Sequence, residues 1–161
     1  MLNVKIKRLS DTTTLPTKAH PEDACFDIYA HLPNATYHEW NGGVEVKERH
    51  GIKIMPGETV MIDTGFATEI PNGYYAAIYA RSGLGIKHGL RPAQGTGVID
   101  ANYRGEWKVG LHNDSNEVRI VQNGDRIAQF AILPVPDVML EEVNELDSTE
   151  RGEGGFGSSG K

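Results

Sequence analysis

Residues 95–113 read GTGVIDANYRGEWKVGLHN. Trp107, Val109 and Leu111 alternate with Lys108, Gly110 and His112, a period of two that turns one face inward and the other toward water, as in a half-buried strand. Upstream, the apolar pair Val98 and Ile99 leads into Asp100, and a Tyr-Arg-Gly turn follows. The stretch therefore reads as β-structure on both sides of a tight reversal, with one carboxylate at its mouth. An aspartate there caps a hairpin or does chemistry, and local sequence leaves both open.

The same short-period pattern recurs outward from this stretch. Val4 and Ile6 alternate with lysines and predict an N-terminal strand with one buried face. Turn signals punctuate the chain at LPN, NGG, PGE, PNG, NDSN and NGD, which predicts an all-β sandwich or barrel. No stretch carries a convincing amphipathic helix. GLGIKHGL, residues 83–90, has room for one or two helical turns, weakened by its three glycines.

Composition narrows the function. At 161 residues the chain is expected to be one domain with its own core. No apolar run approaches the roughly 18 residues of a membrane span, and no long apolar signal region opens the sequence, so a soluble protein of the cytoplasm (a host's, for a viral source) is expected. The single cysteine, Cys25, excludes an internal disulfide and reads as a small buried hydrophobe. A net charge of -6 argues against a nucleic-acid partner, which needs a basic stripe to displace counterions. An anionic ligand must then be met by a few placed arginines or by a metal.

Two segments stand apart. Residues 31–51, HLPNATYHEWNGGVEVKERHG, contain three histidines, but their spacing fits no standard zinc pattern and the segment reads as a surface hairpin or loop. After Leu146 apolar residues almost vanish, and the chain ends RGEGGFGSSGK, a glycine-rich run with one arginine and one phenylalanine. We divide the chain into a folded part, 1–146, and a flexible arm, 147–161.

Three further segments carry chemistry. YARSGLG offers Arg81, Ser82 and Gly83, a guanidinium fork, a hydroxyl and an unhindered main-chain N–H, all suited to phosphate. DACFDIYA sets Asp27 between apolar neighbours, and GDRIAQF puts Asp125, Arg126 and Gln129 beside a strand. Singly each is weak. In this order, ACFDIYA, RSGLGIK, GVIDANYRGE, GDRIAQF and RGEGGFGSSG together resemble the five motifs of the trimeric dUTPase family, the deoxyuridine triphosphate nucleotidohydrolases. The likeness spans nearly the whole chain except 31–51, which looks like an insertion and a place for a protein partner.

The resemblance implies a jelly-roll subunit in a homotrimer with three shared active sites. It also implies Mg2+-dependent hydrolysis of dUTP to dUMP and pyrophosphate, which limits uracil in DNA and supplies dUMP for dTMP synthesis. Carried over by residue, Asp100 is the base that drives water onto the α-phosphorus. Asp27 helps hold magnesium through water. Arg81, Ser82, Gly83 and Gln129 contact the phosphates and the attacking water. Gly97, Val98 and Ile99 receive uracil by main-chain hydrogen bonds, on a hairpin floor too tight for thymine's methyl, and Gln94 stands where some relatives set an asparagine against the base. Tyr103 packs under the sugar and excludes a ribose hydroxyl. On the arm, Arg151 meets the γ-phosphate, Phe156 stacks on the base, and Gly157 and Ser158 add donors.

Three positions depart from the family pattern: Cys25 where glycine is common, Tyr79 where a basic residue is, and Gln94 where some relatives carry asparagine. Two rival functions share these residues, a dCTP deaminase of the same broad fold and a nucleotide-gated binding module. The Asp100 context and the phenylalanine-bearing arm weigh against the deaminase.

Overall fold

The computed structural model describes residues 1–41 and 44–155, and of 38–41 and 44–50 the main chain alone. Among the described residues, thirteen strands and one short helix run in the order β1 (Lys5–Arg8), β2 (Phe26–Tyr29), β3 (Thr36–Asn41), β4 (Val44–His50), β5 (Ile52–Ile54), β6 (Thr59–Asp63), β7 (Phe66–Glu69), β8 (Tyr74–Tyr79), α1 (Ser82–His88), β9 (Leu90–Pro92), β10 (Gly97–Ile99), β11 (Lys108–Asn113), β12 (Arg119–Val121) and β13 (Arg126–Pro134). Every strand pairing described is antiparallel. The largest sheet has the order β10-β8-β13-β2, a second is β6-β11-β9, and β1-β7, β12-β5 and β3-β4 are two-stranded.

The alternation in residues 107–111 does what its period requires. Trp107, Val109 and Leu111 are buried while Lys108 faces water, and β11 joins one core with Ile62 of β6, Ile78 of β8 and Phe130 of β13. Trp107 lies at the centre, 5.1 Å from the Phe66 ring and 4.9 Å, edge-on, from Phe130, which in turn stacks on Phe26 at 5.4 Å. Deleting a ring buried this fully costs about 3–5 kcal/mol. Main-chain bonds hold the residue in register: its N–H donates to the Phe66 carbonyl at 3.0 Å and its carbonyl accepts from Thr64 Oγ1 at 2.6 Å.

At the other end of β11, Asn113 is fully buried and closes the NDSN turn. Its amide donates to the carbonyls of Ile54 and Glu117, and its oxygen accepts from the N–H and hydroxyl of Ser115. One polar side chain thus ties β11 to β5 with its capacity used, as burial demands. Gly57, Gly73 and Gly124, from the PGE, PNG and NGD signals, take positive φ as turn glycines do.

One expectation needs adjustment. β1 forms, yet all four of its residues are exposed, Ile6 at 40%, because among the described residues it pairs only with β7 and belongs to neither larger sheet. The segment 83–90 resolves into a single seven-residue helix, α1, ended by Gly89 in the left-handed region. Residues 36–50 form the β3–β4 hairpin, with a register irregularity between Glu39 and Trp40.

Candidate active site

Strand register assembles a phosphate-side cradle. Gln129 on β13 lies opposite Asp27 of β2 on one side and Tyr79 of β8 on the other, so three residues distant in sequence form one row across the sheet. Arg81 follows two residues after Tyr79 and turns back, its Nε donating to Asp27 Oδ1 at 2.7 Å. Arg126 Nη1 donates to the other oxygen, Oδ2, at 3.2 Å. The Asp27 side chain is only 12% exposed and is held between two guanidinium groups. Gln129 Nε2 donates to the Ala80 carbonyl at 2.9 Å and fixes the chain just before Arg81.

Two arginines on one carboxylate leave a local excess of one positive charge with both forks pre-oriented, which is what a phosphate chain needs. Ser82 and Gly83 open α1 beside them and are exposed. A cleft of about 420 Å³ adjoins, lined by Arg81, Arg119, Arg126 and His88 together with apolar Leu84 and Ile120. Arg126 is the residue sequence reading left unassigned: it stands beside Gln129 in GDRIAQF, and only the β2–β13 register reveals that it shares Asp27. Asp125 has a structural task instead, its carboxylate accepting from the Gln122 N–H at 2.7 Å to close the turn.

A second cleft, about 350 Å³, is lined by Val98, Ile99, Asp100 and Tyr103 together with Met61, Glu106 and Lys108. β10 is the edge strand of its sheet, so its outer N–H and C=O groups have no strand partner. The turn after it is closed by main chain, the Tyr103 N–H donating to the Asp100 carbonyl at 3.1 Å. Arg104 braces the turn through the Ala101 carbonyl at 2.6 Å. The Asp100 carboxylate takes no part in that turn. It is exposed, and among the described residues no side chain donates to it.

Tyr103 is 43% exposed and arches over Gly105, its hydroxyl donating to the Glu106 carbonyl at 3.0 Å. A Cβ at position 105 would lie 2.4 Å from that hydroxyl, so only glycine admits the ring. Gly97 and Gly110 flank the Gln94 side chain, whose amide would meet a Cβ at position 97 at 3.2 Å. Lys108 pairs with Asp63 at 2.8 Å across β11 and β6, and that contact pushes the ammonium's pKa up. Glu106 accepts from the Gly65 N–H at 2.7 Å. Met61, Glu106 and Lys108 escaped the sequence reading, because only the pairing of β6 with β11 brings Met61 to this cleft.

Within one chain the two clefts do not meet. Ile99 pairs with Ala76, so Asp100 lies near Tyr75, six residues before Arg81, which itself follows two residues after the end of β8. At the strand rise of about 3.3 Å per residue this separates them by roughly 20 Å, beyond the reach of any side chain. Arg151 is at neither cleft: its Nε donates to the Gly154 carbonyl at 2.8 Å, within its own turn. Phe156, Gly157 and Ser158 lie outside the described residues.

As a metal site, the cradle offers one carboxylate with both oxygens already accepting from arginine. Among the described residues no group of three or more His, Cys, Asp or Glu side chains could cage an ion. A carboxylate so committed would meet a magnesium ion only through water, with triphosphate oxygens supplying the ion's direct ligands. No helix of the described residues is long and apolar enough to cross a membrane.

The antiparallel β-fold thus carries an arginine–carboxylate cradle at one sheet end and an aspartate beside an open strand edge at the other. The dUTPase family model matches residues 38–160. Two deoxyuridine 5'-triphosphate nucleotidohydrolases are similar along almost their whole length: that of Gloeobacter violaceus is 40% identical over 161 residues, covering 99% of this chain and 97% of that protein. That of Anaplasma marginale is 41% identical over 162 residues, covering 99% of each. Among solved structures, a variant dUTPase of Staphylococcus bacteriophage 80alpha, determined with dUpNHpp, superposes with a TM-score of 0.77 at 28% identity over 99% of both chains. The chain belongs to the dUTPase family.

Proposed function

We propose that the protein hydrolyses dUTP to dUMP and pyrophosphate, with Asp100 as the base. The observation that carries this is a carboxylate left free at the end of an open strand edge while every comparable group nearby is committed. Uracil presents carbonyl, N–H and carbonyl in a row, a pattern that the outer edge of β10 complements and that cytosine's amino group does not. Leaving such buried donors unpaired discriminates by ~10⁴-fold or more. Gly97, Val98 and Ile99 line the base, Gln94 stands behind them, and Tyr103 lies beneath the deoxyribose.

Water held by Asp100 attacks the α-phosphorus as its proton passes to the carboxylate, and the bond to the bridging oxygen breaks to release pyrophosphate. Arg81, Arg126, Ser82, Gly83 and Gln129 bind and orient the phosphates so that attack is in line. Asp27 would hold a magnesium ion through water, and that ion would supply further neutralisation of phosphate charge. Arg151 and Phe156, with Gly157 and Ser158, close over the nucleotide from the arm.

The roughly 20 Å between Asp100 and Arg81 supports a site shared among chains. The base cleft, the cradle and the arm are three separate pieces, and a closed ring of three copies lets each site take one piece from each chain. The product would supply dTMP synthesis and the reaction would limit uracil in DNA. Pyrophosphate release measured on dUTP, dTTP, dCTP and UTP tests the reading. We expect turnover of dUTP with magnesium, loss of it on chelation, and a fall of about 10²- to 10⁴-fold in Asp100→Asn with nucleotide binding retained. Undiminished turnover by that variant would refute the assignment.

A further inference from the structure

On the reading that uracil sits against β10, we infer that Met61 is a specificity-determining wall of the base cleft and sets the room beside C5 of the pyrimidine. With the ring's carbonyl, N–H, carbonyl edge on the main chain of Gly97–Ile99, its C5–C6 edge faces the rest of the lining. Two of the side chains there are anchored by charge, Lys108 on Asp63 at 2.8 Å and Glu106 on the Gly65 N–H at 2.7 Å. Tyr103 is anchored by its hydroxyl on the Glu106 carbonyl. Met61 is the apolar member contributed by β6.

Its setting is unusual for a structural methionine. Met61 is 58% exposed and Val98, on the same cleft, 60%. Two large apolar side chains left open on one concavity call for an apolar ligand surface to cover them. Met61 is also seated. It pairs with Gly110 across β6 and β11, and a Cβ at position 110 would stand 3.1 Å from the Met61 sulfur and 3.8 Å from Gln94 Oε1. Glycine at 110 lets the thioether lie flat beside the Gln94 amide. A methyl group there would lift it into the cleft. Position 61 thus acts on C5 directly and position 110 acts through it.

Paired substitutions on the full-length protein test this, read as the ratio of kcat/KM for dTTP to that for dUTP. Met61→Ala should raise the ratio by about tenfold or more, the scale of one methyl group's worth of room in an apolar pocket. Met61→Leu, close in volume, should retain the wild-type discrimination. Gly110→Ala should slow dUTP turnover, and Met61→Ala in the same chain should restore it. A dTTP/dUTP ratio unmoved in Met61→Ala, with dUTP still hydrolysed, overturns the inference, whatever happens to oligomeric state. Absence of dUTP turnover in the wild-type protein would overturn the functional reading instead, so the two failures are distinct.

Discussion

Asp27 and Asp100 lie at opposite ends of the β10-β8-β13-β2 sheet, and their surroundings could hardly differ more. Asp27 is 12% exposed and gives both oxygens to arginines, at 2.7 and 3.2 Å. Asp100 is exposed, and its turn is closed by its own carbonyl, with no demand on the carboxylate. The residue type is the same, and the neighbours decide the task. On the proposed reading, the first positions arginines and so prepares a surface for phosphate, and the second keeps its lone pairs for a proton. A base already bound by two guanidinium groups would be a poor one, and a free carboxylate would repel the phosphate chain.

The sharpest way to break that division is to separate the two halves genetically. Asp100→Asn and Arg81→Ala should each be nearly inactive alone, the former by about 10²- to 10⁴-fold. If sites are built between copies, dissociating and reassembling an equal mixture should return about a quarter of wild-type activity, because one site in four draws Asp100 from one variant and Arg81 from the other. Assembly measured by sedimentation would accompany the rate measurement. A reassembled mixture as dead as its parents would mean that each chain completes its own site, against the strand register.

A second, smaller effect sharpens the base-side half. Gly105→Ala puts a Cβ 2.4 Å from the Tyr103 hydroxyl, so the ring must swing off its bond to the Glu106 carbonyl. Loss of one such hydrogen bond is worth about 0.5–1.5 kcal/mol. We expect kcat/KM for dUTP to fall by up to about tenfold, with discrimination against UTP relaxed, while Tyr103→Phe, which keeps the ring and loses only the hydroxyl, suffers less. Equal sugar discrimination in Gly105→Ala and wild type would remove Tyr103 from the deoxyribose.

These two halves were not equally legible in sequence. The cradle's Asp27, Arg81 and Gln129 were weak signals singly and stood out only through the order of their motifs, which carried the family resemblance. Arg126 was visible in GDRIAQF, but its partnership with Asp27 depends on the β2–β13 register, which no local pattern encodes. On the base side, Asp100 and Tyr103 were legible, whereas Met61 is 39 residues before Asp100 and joins the cleft only through the β6–β11 ladder. Strand period and turn residues likewise made the all-β fold readable. The exposure of β1 was not, since alternation tells which residues share a face and says nothing of what covers it.

The smallest expected effect lies two residues before Asp27. Burial pushes the Cys25 thiol up from its ordinary value, Lys18 opposes this, and the charges of Asp23 and Asp27 add to the rise. A raised thiol pKa means less thiolate near pH 8, so iodoacetamide should react more slowly with the folded chain than with the chain in urea. The gap should close as pH climbs past the folded value. Asp27→Asn removes one of the upward contributions and should speed the reaction slightly at fixed pH, whereas Lys18→Gln should slow it. The aspartate reading then has a probe that does not depend on turnover. If Asp27→Asn left the alkylation rate of a folded protein unchanged, the field of that carboxylate would not reach the thiol, and its two arginines would account for all of its charge.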